Sequence, residues 1–153
     1  MKNSIKLTFP GKLEYIPAIR KFVSGVAMSN KFSNKFAFRL EIIVDEICNN
    51  AVQHGSLSAA AQVEVLVNID LDAMNISVSD SGGKMKDIKR LKDVLALTNK
   101  EEIEGKFERG RGMDIVKTLS SDIHLNVLPN GRTEIKVIKF RENLQNPNGK
   151  VTN

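Results

Sequence analysis

The stretch VDEICNNAVQHG, residues 44–55, carries two different faces on one helical period. At 100° per residue, Leu40, Val44, Ile47, Cys48 and Ala51 align on one side, a surface that another element must cover. Glu46, Asn49, Asn50, Gln53 and His54 occupy the opposite arc. Ile42 and Ile43 fall close to that arc, so the polar side is not expected to lie simply in water. Polar groups on a covered helix cost free energy unless something pairs with them. The helix is expected to run from a cap at Ser33 or Asn34 to His54, where Gly55 stops it.

Working outward, the flanking segments supply the cover. SIKLTF (4–9) alternates as a short strand and ends at Pro10-Gly11. A first helix is expected from about Leu13 to Met28, with Ile16, Ile19, Val23 and Val26 on its apolar face and Pro17 tolerable near its start. Gln62–Asp70 and Met74–Ser79 read as antiparallel strands joined by a turn at 71–73. A charged segment from Lys84 to Arg109 follows, helical in its first half and polar in its second, with the look of a lid. Met113–Leu119 is a further helix. Asp122–Leu128 and Thr133–Phe140 are strands joined across Pro129-Asn130-Gly131. The order predicts an α+β fold: one mixed, mainly antiparallel sheet with helices on one face. One domain is expected over 1–141, and residues 142–153 read as a disordered polar tail.

Composition sets wide bounds. A chain of 153 residues, 41% hydrophobic and 27% charged, fits one buried core. No run approaches the roughly 20 apolar residues of a membrane helix, and the N-terminal segment lacks the features of a signal peptide. With the single cysteine Cys48, this places the expected location in the cytoplasm and excludes an internal disulfide framework. The net charge of +5 is spread along the chain without interleaved aromatics, so direct nucleic-acid binding is not expected.

Three segments carry chemistry. On the central helix, Asn50 can offer a neutral amide oxygen to a hard cation such as Mg²⁺. Glu46, one turn earlier, can take a proton from an attacking hydroxyl or orient it. The alternative is a solvated helix face. His54 reads as a helix-end hydrogen-bonding residue, not a metal ligand. In DSGG (80–83), Asp80 ends a strand and can accept a hydrogen bond from an exocyclic amine; Gly82 would let a base approach the backbone. The alternative is an ordinary turn. In GRGMDIV (110–116), Gly110 and Gly112 precede a helix whose free N–H groups suit phosphate oxygens. Arg109 and Arg111 flank that turn and can pair with a phosphate or an acidic partner, or can be solvated. No Gly-Lys-Ser/Thr follows, so this is not a Walker-type loop.

Taken together, VDEICNNAVQHG, DSGG and GRGMDIVKTLSSDI resemble the N box and the two glycine boxes of the GHKL ATPase and kinase superfamily. The N-terminal FPGKLEYIPAIRKFV and the strand NGRTEIKV are similar to the bacterial anti-sigma-factor serine-protein kinases, whose domain is histidine-kinase-like. The resemblance covers about residues 4–140 and implies a Bergerat-type ATP-binding sandwich holding ATP or ADP with Mg²⁺. It implies Glu46 as catalytic base, Asn50 as the Mg²⁺ holder and Asp80 as the reader of the adenine amine. Gly82 would lie beneath the base, Gly110 and Gly112 would form the second glycine box, and Arg109 would point toward the γ-phosphate. Implied partners are an anti-sigma-factor antagonist protein, a sigma factor and a second copy of the chain. Lys84 stands where the first glycine box usually has its last glycine. That departure sustains a second reading, a nucleotide-binding module that sequesters a partner without phosphoryl transfer.

Overall fold

A computed structural model of the chain describes residues 3–55, 60–80, 89, 92–93, 96, 111–128 and 132–142, with backbone only at 54, 55 and 111. The apolar alternation of five segments builds its sheet. These strands are β1 (Asn3–Pro10), β2 (Gln62–Ile69), β3 (Ala73–Ser79), β4 (Asp122–Val127) and β5 (Thr133–Phe140), in spatial order β1-β2-β3-β5-β4. Each described pairing is antiparallel, where the sequence pattern left a mixed sheet open.

The register aligns like with like. Leu7, Val65, Val78, Ile135 and Leu125 form one row across the sheet, and Ile5, Val67, Ile76, Val137 and Ile123 form the next. Both rows face the helices and join the hydrophobic core. On the other face the intervening row is Lys6, Leu66, Ser77, Lys136 and His124. A slip of one residue would exchange the two faces, so burial of one side specifies the pairing.

Two long helices cover the apolar face: α1 (Ile16–Ser29), entered through a 3₁₀ turn at Leu13–Tyr15, and α2 (Asn34–Gly55). On α2, Leu40, Val44, Ile47, Cys48 and Ala51 are all buried, as the helical period requires. Ile43 is buried as well and Ile42 half-buried, so the polar arc of α2 is flanked by covered apolar side chains. Burial pushes the Cys48 thiol from its ordinary 9.0 up to about 12, and Asp45 adds to the effect, which leaves this cysteine an inert core residue. Along the outer seam, Arg20 pairs with Asp45 at 2.7 Å and Lys21 with Glu41 at 2.9 Å. Such exposed pairs contribute about 0–1 kcal/mol each. The third helix, α3 (Arg111–Leu119), buries Met113 and Val116 and packs on α2.

The reversal between α1 and α2 is built tightly. Phe32 N–H donates to Ala27 O and Lys31 N–H to Met28 O, both at 3.1 Å, the two bonds of a Schellman cap. Lys31 supplies the left-handed position at φ 65°, a conformation that costs a side-chain-bearing residue about 1–2 kcal/mol. Arg141, just past β5, compensates. Its guanidinium donates to Lys31 O at 2.7 Å, Asn30 O at 3.3 Å and Leu71 O at 3.0 Å, and lies 3.8 Å from the Phe32 ring centroid. Ser33 then caps α2 by accepting from Phe36 N–H at 3.0 Å and donates to the Glu142 carboxylate at 2.9 Å. Glu142, the first residue of the segment read as a tail, is therefore held against the helices. Residues 143–153 lie outside the described residues.

Arg141→Ala is expected to lower stability by about 1.5–3 kcal/mol, because three carbonyls lose a charged donor. Denaturant titration checks it: the midpoint should fall at an unchanged slope, and an unchanged midpoint would show that the clasp contributes nothing.

Candidate functional site

The polar arc of α2 resolves into side chains with separate engagements. Asn49 donates from its amide back to Asp45 O at 2.7 Å. Asp45 is turned toward Arg20 on α1. Glu46 and Asn50, four residues apart, are both half-buried. Burial holds the Glu46 carboxyl above its ordinary 4.5, and the neighbouring Asp45 charge pushes it in the same direction. A carboxylate shifted upward is a better proton acceptor than a free one, and it sits at a covered site.

The first turn of α3 meets this carboxylate. A Cβ built on Gly112 would lie 2.9 Å from Glu46 Cδ and would overlap Glu46 Oε2. The backbone at Gly112 therefore runs directly against the acid group. The N–H groups of a first helical turn have no intrahelical acceptor, and the helix dipole favours an anion there. The structure thus brings together Glu46 and Gly112, which stand 66 positions apart in the chain.

The end of β3 makes the second part of the site. Asp80 is only 5% exposed. The Thr133 hydroxyl lies 2.6 Å from both of its carboxylate oxygens, and Thr133 N–H donates to Oδ1 at 3.4 Å. On the main chain, Asp80 N–H donates to Thr133 O at 3.0 Å, and Arg132 Nε donates to Asp80 O at 3.0 Å. A hydroxyl has one proton to give, so it serves one oxygen at a time. Asp80 is thereby oriented by β5.

Sequence reasoning missed Thr133 and Lys139. Lys139 is 4% exposed, donates to Leu119 O at 2.8 Å and lies 5.4 Å from the Phe36 ring centroid. It ties the last turn of α3 to the sheet. Burial pushes its ammonium below the ordinary lysine range; Arg39 and Lys35 push the same way and Glu142 opposes them. A signal for both residues existed in the strand. Thr133, Ile135, Val137 and Lys139 share the inward face of β5, and two polar residues there need partners.

Gly82, Lys84, Arg109 and Gly110 lie outside the described residues, as does the segment read as a lid apart from isolated helical positions at 89, 92–93 and 96. Arg111 and His54 are described in backbone only, each within a helix. Among the described residues no three of His, Cys, Asp and Glu gather as a metal-binding group.

The chain as a whole is similar to known proteins. Residues 9–139 match the family described as the histidine kinase-like ATPase domain. The serine-protein kinase RsbW of Bacillus pumilus is 29% identical over 139 residues, covering 89% of this chain and 85% of the relative. The protein of the same name from Bacillus licheniformis is 28% identical over 125 residues, covering 80% and 78%. Two solved structures share the fold at 13% identity. One contains the RsbU and RsbW domains of a Mycobacterium tuberculosis protein, with a TM-score of 0.60 over 90% of this chain and 32% of that longer one. The other is the SiaB–SiaC complex from Pseudomonas aeruginosa, with a TM-score of 0.59 and 89% coverage of each chain.

Thr133→Val should cost about 1–3 kcal/mol by leaving the buried Asp80 carboxylate without its hydroxyl donor. Thr133→Ser, which keeps the hydroxyl, should cost less. Chemical denaturation of the pair decides it, and equal losses would mean that the hydroxyl does not hold Asp80.

Proposed function

The chain belongs to the histidine kinase-like ATPase domain family, and on that premise we propose that it binds Mg-ATP and transfers the γ-phosphoryl group to a serine of a small regulatory protein. The observation that carries the reading is the Glu46 carboxylate, half-buried, raised in pKa and set against the first turn of α3. The donor set suits Mg²⁺. Asn50 carries a neutral amide oxygen, a donor type that Mg²⁺ accepts beside waters and substrate phosphates. When bound, Mg²⁺ supplies neutralisation of the phosphate charge.

The chain's own residues then divide the work. Asp80, oriented by Thr133, accepts from the exocyclic amine of adenine, and Gly82 leaves room beneath the base. Gly110 and Gly112 present backbone N–H groups to phosphate oxygens, with Arg109 and Arg111 as charged partners. Glu46 takes the proton of the attacking seryl hydroxyl as the new O–P bond forms and the bond to the departing ADP oxygen breaks. Positioning and charge stabilisation supply most of the rate enhancement.

The substrate we propose is an anti-sigma-factor antagonist protein, with a sigma factor as the alternative partner, in keeping with the Bacillus relatives named as serine-protein kinases. Nucleotide state and substrate phosphorylation would decide which partner is held. No helix among the described residues is long and apolar enough to cross a membrane, and we place the chain in the cytoplasm. Lys84 favours a second reading, in which nucleotide is held and a partner sequestered without transfer.

Self-association belongs to the same proposal. β1 is a sheet edge, and a groove of about 490 Å³ beside it is lined by Ile5, Phe22, Gly25, Val26, Ser29 and Asn30. An edge strand of eight residues can pair with its own copy in a two-fold arrangement. Sedimentation equilibrium should show a dimer that Phe22→Lys converts to monomer; a wild-type monomer at all concentrations would remove this element.

Calorimetric titration with ATP should give micromolar-range binding that requires Mg²⁺. Asn50→Ala should lose the Mg²⁺-dependent part, whereas Glu46→Ala should bind and fail to transfer phosphate. Because the Glu46 pKa is raised and the base must be ionised, transfer should rise with pH through a midpoint above the ordinary 4.5. Absence of binding with and without Mg²⁺ would sink the nucleotide reading. Binding without serine phosphorylation of any antagonist partner would select the sequestration reading.

A further inference from the structure

The glycine segment that would meet phosphate and the acid that would accept the proton are one mechanical unit. Gly112 is the second residue of α3, a position where alanine would suit the helix better by up to about 1 kcal/mol. The space left by its missing side chain is filled. Glu46 Cδ lies 2.9 Å from the point a Cβ would occupy, and Glu46 Oε2 overlaps it. The carboxylate is the end of a flexible, half-buried side chain, so a Cβ at 112 would turn it out of this seat. Beyond Gly112, α3 is held in place. Met113 and Val116 are buried in the core, and its last carbonyls are held by Lys139 at Leu119 and by Ser120 N–H at Val116, 2.8 and 3.0 Å.

We infer that Gly112 is a positioning residue for Glu46: its bare backbone seats the carboxylate, so that the placement of the phosphate-facing turn and of the base change together. This rests on the reading of Glu46 as base and goes beyond it by assigning Gly112 a task distinct from phosphate approach. A side chain at 112 displaces Glu46 or tips the first turn of α3. The damage then passes through residue 46 and disappears when residue 46 is made small.

The test is a double-mutant cycle of wild type, Gly112→Ala, Glu46→Ala and the double variant, read in two ways. The first readout is chemical unfolding without nucleotide. Gly112→Ala should move the midpoint less favourably in the wild type than in the Glu46→Ala background. The second is Mg-ATP binding by calorimetry, at a temperature where every variant is fully folded by circular dichroism. Gly112→Ala should bind about tenfold or more weakly, and the double variant should return to within about threefold of Glu46→Ala. A purely structural role would leave binding by the folded Gly112→Ala chain unchanged. A role in phosphate approach alone, with no seating of Glu46, would leave the double variant as weak as Gly112→Ala. Either result overturns the inference. If wild type binds no nucleotide, the functional reading fails while the unfolding cycle still decides whether Gly112 seats Glu46; additive midpoints there would overturn it.

Discussion

The structure depends on the burial of one face of α2. Leu40, Val44, Ile47, Cys48 and Ala51 press on a sheet whose inward rows are almost wholly apolar, and each is at most 2% exposed. Burying a large aliphatic side chain stabilises by about 1.5–3 kcal/mol, so this seam outweighs the exposed ion pairs along the α1–α2 boundary. It also fixes the rotation of the helix about its axis. Once the apolar stripe is seated, Glu46 is turned to the first turn of α3, where it meets Gly112.

Polar groups buried elsewhere follow from the same packing. The inward face of β5 begins with Thr133 and closes with Lys139, and each is matched to a group that the sheet order brings alongside. β3 and β5 are neighbours although some fifty residues separate them, so the carboxylate that ends β3 falls beside the hydroxyl that begins β5. At the other end of the same strand, Lys139 reaches the last turn of α3, and the Arg141 clasp follows at once. One strand therefore orients the proposed base reader at its start and anchors the helix carrying the second glycine segment at its end.

Much of the fold was legible because its periods are clean. Alternation marked the strands, the 3.6-residue period marked both long helices, and Ser33 was a recognisable cap. The pairings of β1 with β2 and of β3 with β5 were less so, since a sheet's order depends on which strands become neighbours and not on any one strand's pattern. The candidate site divided in the same manner. Glu46 and Asn50 announced themselves as polar residues flanked by Ile42 and Ile43, and Asp80 as an acid ending an apolar strand. Thr133 and Lys139 passed as ordinary members of TEIKVIKF until the face they occupy was known.

What the sequence by itself determined is local: which residues share a face, where elements begin and end, and which side chains are chemically able to hold a metal, a base or a phosphate. These follow from backbone geometry and side-chain type, both carried by short stretches of chain. Only the tertiary structure decided that Glu46 rests against Gly112, that Thr133 holds Asp80, and that Arg141 locks the turn containing Lys31. Each joins residues distant in the chain, and their meeting is set by how the helices seat on the sheet and how its strands are ordered, a collective result of burial that no single segment encodes.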